Sequence, residues 1–221
     1  MYERAPAVTE LGVGLNLLPH AVAPLAGLGL LEDLREAAVA TRELIYAHRL
    51  GPEILRRPCG LAAGAGFPQF SIHRDRLQGL LFAALRERLG AGAVHIGHRL
   101  VIVHQDANRV TATLTDPAGR PVGTLTADVL VAADGIGSTV RAALFPGEGP
   151  PRWNGVLMWR GATDWPVFET GATMLVAGGT AAKLVVYPIA AGRTRDRRLT
   201  NWAVCVATGR PDVPPPRRAD W

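Results

Sequence analysis

The run Val129-Leu130-Val131-Ala132-Ala133 carries no polar alternation and stops at Asp134-Gly135. A stretch without a period of two suits a strand buried on both faces, as in a parallel sheet covered by helices, and points to the α/β class. Ligands of such sheets bind beyond the carboxyl ends of the strands. Asp134 stands at that end, and Gly135 lets backbone approach a ligand closely. Ser138 can cap a following helix, whose first amides favour an anion. Two readings stay open from spacing alone: a ligand site at the strand end, or a carboxylate and a hydroxyl that only cap and turn.

The segment "LPHAVAPLAGLGLLEDL" predicts a helix with Pro19 at its favoured first position and Val22, Leu25 and Leu28 facing inward. Pro24 removes an interior hydrogen bond, so two short pieces are expected. "ELIYAHRLGPEILRR" reads as two short strands around Leu50-Gly51-Pro52, and "GLAAGAGFPQF" as a glycine-rich loop. In "HRDRLQGLLFAALRERLG", Leu77, Leu80, Leu81, Ala84, Leu85 and Leu89 recur at helical spacing and Gly90 closes the end, so one face is expected in the core. Strands follow at 100–103 and 109–114, the second alternating Val110, Ala112 and Leu114 with polar residues, before a "DPAGR" turn. From about Pro150 the text changes to Trp-, Gly- and Pro-rich strands, "GVLMWRGAT", "TMLVAGG" and "AKLVVYPI", which marks a domain change.

A chain of 221 residues that is 48% hydrophobic and 19% charged can bury a substantial core in one or two domains. Its net charge of +5 comes from 24 basic residues, of which all but Lys183 are arginine. That is a composition bias before it is a basic patch. The densest run, Arg193, Arg195, Arg197 and Arg198, is interrupted by Asp196 and reads as a solvated hairpin loop, so no nucleic-acid partner is expected. Cys59 and Cys205 match no metal or redox spacing and read as structural cysteines of a reducing compartment. His20, His48, His73, His95, His98 and His104 likewise show no metal spacing and join no Ser-His-Asp set. The most apolar window, Leu15 to Leu31, is broken by two prolines and two glycines and falls short of the roughly 20 residues of a membrane span. With no secretory signal pattern at the start, a cytoplasmic protein is expected.

Five stretches give a more specific resemblance. "LVAADGIGSTVRAALFP" resembles the Asp-Gly motif of the FAD-dependent aromatic hydroxylases, flavoprotein monooxygenases of the salicylate and phenazine type. The resemblance implies that Asp134, Gly135 and Arg141 help hold the FAD diphosphate region and the passing pyridine nucleotide. "YERAP" resembles the end of the family's second strand, which makes Glu3 the acceptor of the adenosine ribose hydroxyls; an acceptor-only carboxylate suits two neighbouring donors. "LGVGLNLLPHAVAPLAGLGLLEDL" resembles the glycine loop beside the flavin ring, with Gly12 and Gly14 as the matching glycines. "FSIHRDRLQGLL" resembles the Ile-His-Arg element and points to Arg74 as an FAD contact. "GPPRWNGVLMWRGAT" resembles the start of the substrate domain, where Trp159, Arg160 and Tyr187 are candidate substrate residues.

The resemblance implies a partial FAD-binding Rossmann-like domain of the GR2 type over 1–150 and part of a β-sheet substrate domain over 151–221, with 42–66 a candidate to join the second. It implies FAD as cofactor, NADH or NADPH as co-substrate, and hydroxylation of a small aromatic substrate by O2 through a flavin hydroperoxide, with no protein nucleophile and no metal. No catalytic side chain is assigned. The G-x-G-x-x-G that meets the diphosphate in such folds has no counterpart before Glu3 or later. An internal fragment is therefore expected, one that binds FAD poorly. A non-catalytic remnant or binding module, and another oxidoreductase sharing the dinucleotide fold, are the alternatives.

Overall fold

The computed structural model describes residues 1–7 and 12–209. Residues 210–221, the end of the expected second domain, lie outside them. The described residues form two compact units, 1–7 with 83–152 and 12–82 with 153–209. One break falls between residues 152 and 153, near the boundary expected at 150, but residues 12–82 group with 153–209, because a strand from the first third of the chain pairs with one from the last third.

The first strand, β1 (Tyr2–Glu3), belongs to the smaller unit. From β2 (Gly14–Leu17) the chain runs through α1 (Pro19–Gly27), α2 (Leu31–Ala37), β3 (Val39–Thr41), β4 (Glu43–Ala47), β5 (Glu53–Pro58) and β6 (Gln69–His73) into α3 (Arg74–Leu89). The expected two-piece helix is present. Pro19 opens α1, Pro24 lies inside it, and the break falls later, around Gly29 at φ 72°. The expected glycine-rich loop contains a 3-10 turn, Gly60–Ala63, and its last residues enter β6.

The smaller unit holds β7 (His95–Ile96), β8 (Arg99–Gln105), β9 (Val110–Thr115), β10 (Pro121–Ala127) and α4 (Thr139–Leu144). The chain then returns as β11 (Val156–Pro166), β12 (Thr173–Gly178), β13 (Ala182–Ala191) and β14 (Arg197–Ala207). These join β4 and β5 in a six-stranded sheet of order β11-β14-β13-β12-β4-β5, antiparallel except for the parallel pair β12 and β4. Residues 42–66 thus take part in the sheet of the Trp-rich strands.

The larger unit has three layers. The small sheet β2-β6-β3 lies between the helices and strands β13 and β14 of the large sheet. Alternation along β6 explains this. Phe70 and Ile72 point to the helices and, with Val22 and Leu34, form a core cluster that is at most 1% exposed. Full burial of each such side chain contributes about 1.5–3 kcal/mol. The opposite face carries Ser71, whose buried hydroxyl bonds Thr41 Oγ1 and Asn16 Oδ1, each at 2.6 Å. The expectation that one face of α3 lies in the core is corrected. No α3 residue is buried; Leu77 and Leu80 pack against the cluster, while Leu89 at the end of the helix is 70% exposed.

In the smaller unit β8, β9 and β10 form an antiparallel sheet in which Val110, Ala112 and Leu114 are buried, as their alternation predicts. The doubly buried strand expected at 129–133 does not form. Val129 is 76% and Val131 85% exposed, and no described strand pairs with the segment. A strand exists through its ladder, and an apolar run without a partner strand stays irregular however strong its β propensity. The α/β class stands through the mixed sheets and helices.

Candidate functional site

In the larger unit, the glycine loop before β2 is fastened on two sides. Gly12 has φ 150°, and a Cβ there would lie 2.9 Å from Arg74 Cβ, so the arginine stem runs along the loop. The Arg74 N–H donates to the Val13 carbonyl at 3.1 Å. Gly14 is fixed at both of its peptide groups by the large sheet: its N–H donates to Asn201 Oδ1 at 2.8 Å and its carbonyl accepts from Arg160 Nη2 at 2.7 Å. A Cβ on Gly14 would stand 2.7 Å from Asn201 Cβ and from Ile189 Cγ2, and 2.8 Å from Tyr187 Cε2. Only a residue without a side chain fits between the sheets there.

The structure thus brings Gly12, Gly14, Arg74, Arg160 and Tyr187 together, the last two beneath the loop rather than apart from it. Tyr187 is buried, and burial pushes its phenol above the ordinary value against the opposing charge of Arg160. Trp159 points to the other face of the sheet, because neighbours along β11 alternate. That face holds a hollow of about 660 Å³ lined by Ile45, Leu175, Val186, Trp165 and Trp202 among others. Asn201 was missed in the sequence. Its signal was a polar residue in register with Ala203 and Cys205 on the inward face of "NWAVCV".

In the smaller unit, Asp134, Gly135 and Arg141 share one loop and helix start. Asp134 Oδ2 accepts the Thr139 N–H at 2.7 Å and, more weakly, that of Val140 at 3.4 Å; Ser138 Oγ accepts the Arg141 N–H at 2.9 Å. The capping interaction foreseen for these side chains is present. The Ser138 hydroxyl first, then the Val140 and Thr139 amides, hold the Asp134 carboxyl below its usual range, with burial opposing. Gly135 has φ 76°, and no atom lies within 4 Å of a Cβ built there, so conformation and not space calls for glycine. Arg141 donates to the Ile136 carbonyl at 2.8 Å and pairs with Glu148 at 3.0 Å. Beside it lies a hollow of about 410 Å³ lined by Ile136, Ser138, Arg141, Phe145 and Pro150 among others.

Glu3, in the same unit, ends the two-residue β1 that runs parallel to β7. It is exposed, and its Oε1 accepts the Ala5 N–H at 2.8 Å. Next to it the Tyr2 ring stacks on His95 with centroids 4.6 Å apart.

Residues 10–208 match the family model of the FAD binding domain. The chain belongs to that family. Among curated relatives, this FAD-binding domain is 40% identical to the phenazine 1,6-dicarboxylic acid hydroxylase PhzS of Lysobacter antibioticus, covering 99% of this chain and 54% of that protein. It is 32% identical to a salicylate hydroxylase of Pseudomonas putida, covering 74% of this chain and 37% of the relative. The chain therefore spans about half the length, or less, of these relatives. In fold it is similar to Klebsiella pneumoniae HpxO solved with FAD and uric acid, with TM-score 0.73 and 21% identity over 98% of this chain and 51% of that one. The expected kinship with FAD-dependent aromatic hydroxylases, and the expected fold, are borne out.

Among the described residues no helix is long and apolar enough to cross a membrane.

Proposed function

We propose that this chain serves an FAD-dependent monooxygenase that hydroxylates a small aromatic substrate with NADH or NADPH and O2. The observation that carries the reading is the 40% identity, over 99% of the chain, to a phenazine dicarboxylic acid hydroxylase.

The local geometry supports it. Gly12 and Gly14 let the loop lie tight against Arg74 and the large sheet, where Cβ atoms would come within 2.7–2.9 Å of Arg74, Asn201 and Ile189, which fixes the loop assigned to the flavin. Arg74 begins α3 beside that loop, from which a guanidinium can bond a flavin or phosphate oxygen. Glu3 is exposed and acceptor-only, fit for a ribose diol. Asp134, Gly135 and Arg141 are assigned to the diphosphate region and the nicotinamide nucleotide. When bound, FAD supplies the electron transfer and the oxygen activation, and the side chains position it and exclude water. Trp159, Arg160 and Tyr187, on the strands of the large sheet, are the substrate candidates; Arg160 and Tyr187 share the face beneath the glycine loop, while Trp159 belongs to the opposite face. Cys59 and Cys205 are buried and unbonded, which supports a reducing, cytoplasmic compartment.

The test is a titration of the chain with FAD followed by visible absorption and flavin fluorescence, then NADH and NADPH oxidation with and without aromatic acids. A weak but saturable bound-flavin spectrum, in keeping with a chain that spans about half the length of its relatives, is expected, with oxidation stimulated by an aromatic acid. No spectral change at saturating FAD, or oxidation indifferent to every aromatic added, overturns the reading.

A further inference from the structure

We infer that Arg160 and Asn201 are positioning residues that clamp Gly14 from the large sheet and so hold the loop of Gly12, Val13 and Gly14 in its flavin-ready shape, an assignment that rests on the function proposed above. The two side chains take opposite ends of one residue. Asn201 Oδ1 receives the Gly14 N–H and Arg160 Nη2 reaches the Gly14 carbonyl. They come from different strands, β14 and β11, and stand on the same sheet face, since Arg160 is in register with Ala203, two residues from Asn201.

Neither residue is placed there by packing needs. Asn201 is 1% exposed and its Nδ2 has no partner, so a buried polar donor is tolerated for the sake of the acceptor on the same amide. A leucine would fill that volume and remove the orphaned Nδ2, but it would leave the buried Gly14 N–H without its acceptor. Arg160 is an exposed residue whose guanidinium nevertheless turns to the Gly14 carbonyl, a partly buried bond beside Ala203 and Cys205 on the same sheet face. Charge-assisted bonds of this kind are about twice as strong as neutral ones. The third tie on the loop, Arg74 N–H to Val13 carbonyl, comes from backbone. Among the described residues, the side-chain hydrogen bonds made to the loop come from Asn201 and Arg160, which join it to the sheet assigned to the substrate.

The experiment compares the 221-residue chain with Arg160→Met, Arg160→Lys and Asn201→Leu. Amide hydrogen exchange of the peptide covering residues 12–17 and flavin fluorescence titration with FAD are read for each. Arg160→Met and Asn201→Leu are expected to speed exchange in that peptide and to weaken FAD binding by roughly tenfold, the scale of one hydrogen bond to a charged group. Exchange in the Asp134 loop should stay unchanged. Arg160→Lys is expected to recover part of both losses, because an ammonium also donates to a carbonyl; a role in packing alone would make Lys no better than Met. Exchange and FAD affinity within twofold of the parent for both Arg160→Met and Asn201→Leu, or no difference between Lys and Met, overturns the clamp. Faster loop exchange in Arg160→Met together with a parent chain that takes up no FAD supports the clamp and overturns the cofactor reading instead.

Discussion

Asp134 and Thr139 are joined end to end, the carboxylate Oδ2 accepting at 2.7 Å the N–H that opens α4. This bond makes the Asp-Gly loop a local device whose behaviour with pH has a definite sign. The Asp134 carboxyl is held below its ordinary value of 3.8, first by the Ser138 hydroxyl and then by the Val140 and Thr139 amides. Its contribution is therefore fully present above the ordinary carboxylate range and is lost as pH falls through the lowered value. Asp134→Ala should cost about 0.5–1 kcal/mol at neutral pH, the lower part of the capping range because the carboxylate is exposed, and almost nothing in strong acid. Urea denaturation at pH 7 and pH 2 checks both halves.

Glu43 tests which partner governs a surface network. Arg56 bonds Glu43, Glu53 and Glu169 at 2.8–3.0 Å. Yet the bond from the buried Thr173 hydroxyl is what most lowers the Glu43 carboxyl from its ordinary 4.5, ahead of Arg56 and Thr170 and against burial. Thr173→Val should move the Glu43 titration upward further than Arg56→Ala does, in carboxyl-resolved NMR. It should cost about 1 kcal/mol near pH 7, fading as acid protonates Glu43. A larger shift from Arg56→Ala would refute the order.

Two glycines fail for different reasons when replaced. Gly14→Ala drives a methyl to within 2.7 Å of Asn201 and Ile189, an overpacking cost of about 1–3 kcal/mol. Gly135→Ala meets no atom within 4 Å but must hold φ 76°, a cost of about 1–2 kcal/mol. Asparagine, which tolerates that conformation, should recover stability at 135 and lose more at 14. Denaturation midpoints of the four variants decide it.

Core and unpaired segments should respond in opposite ways. Phe70, 1% exposed in the cluster with Val22, Leu34 and Ile72, should lose about 3–5 kcal/mol on truncation to alanine. Val131, 85% exposed, should change stability by less than about 0.5 kcal/mol on replacement by serine. A large loss at Val131 would mean that 129–133 is paired in solution.

Much of the local structure was legible because its causes are local. Val110, Ala112 and Leu114 declared their buried face by a period of two, Pro19 its helix start, and Asp134 with Ser138 the opening of α4, since each depends on atoms a few residues away. The glycines and arginines of the candidate site were legible by resemblance, but their partners were not. Asn201 sits 187 residues from the Gly14 amide that it binds, and no spacing rule connects them.

The sequence by itself determined which faces are apolar, where helices begin and where the backbone needs glycine. Only the tertiary structure decided what covers each face: β4 beside β12, the two sheets closing on Gly14, and the Val129 run left without a partner strand among the described residues. The reason is physical. Periodicity records how a segment partitions between water and protein, while a ladder or a clamp also requires a second segment at hydrogen-bonding distance, and that partner is chosen by the packing of the whole unit.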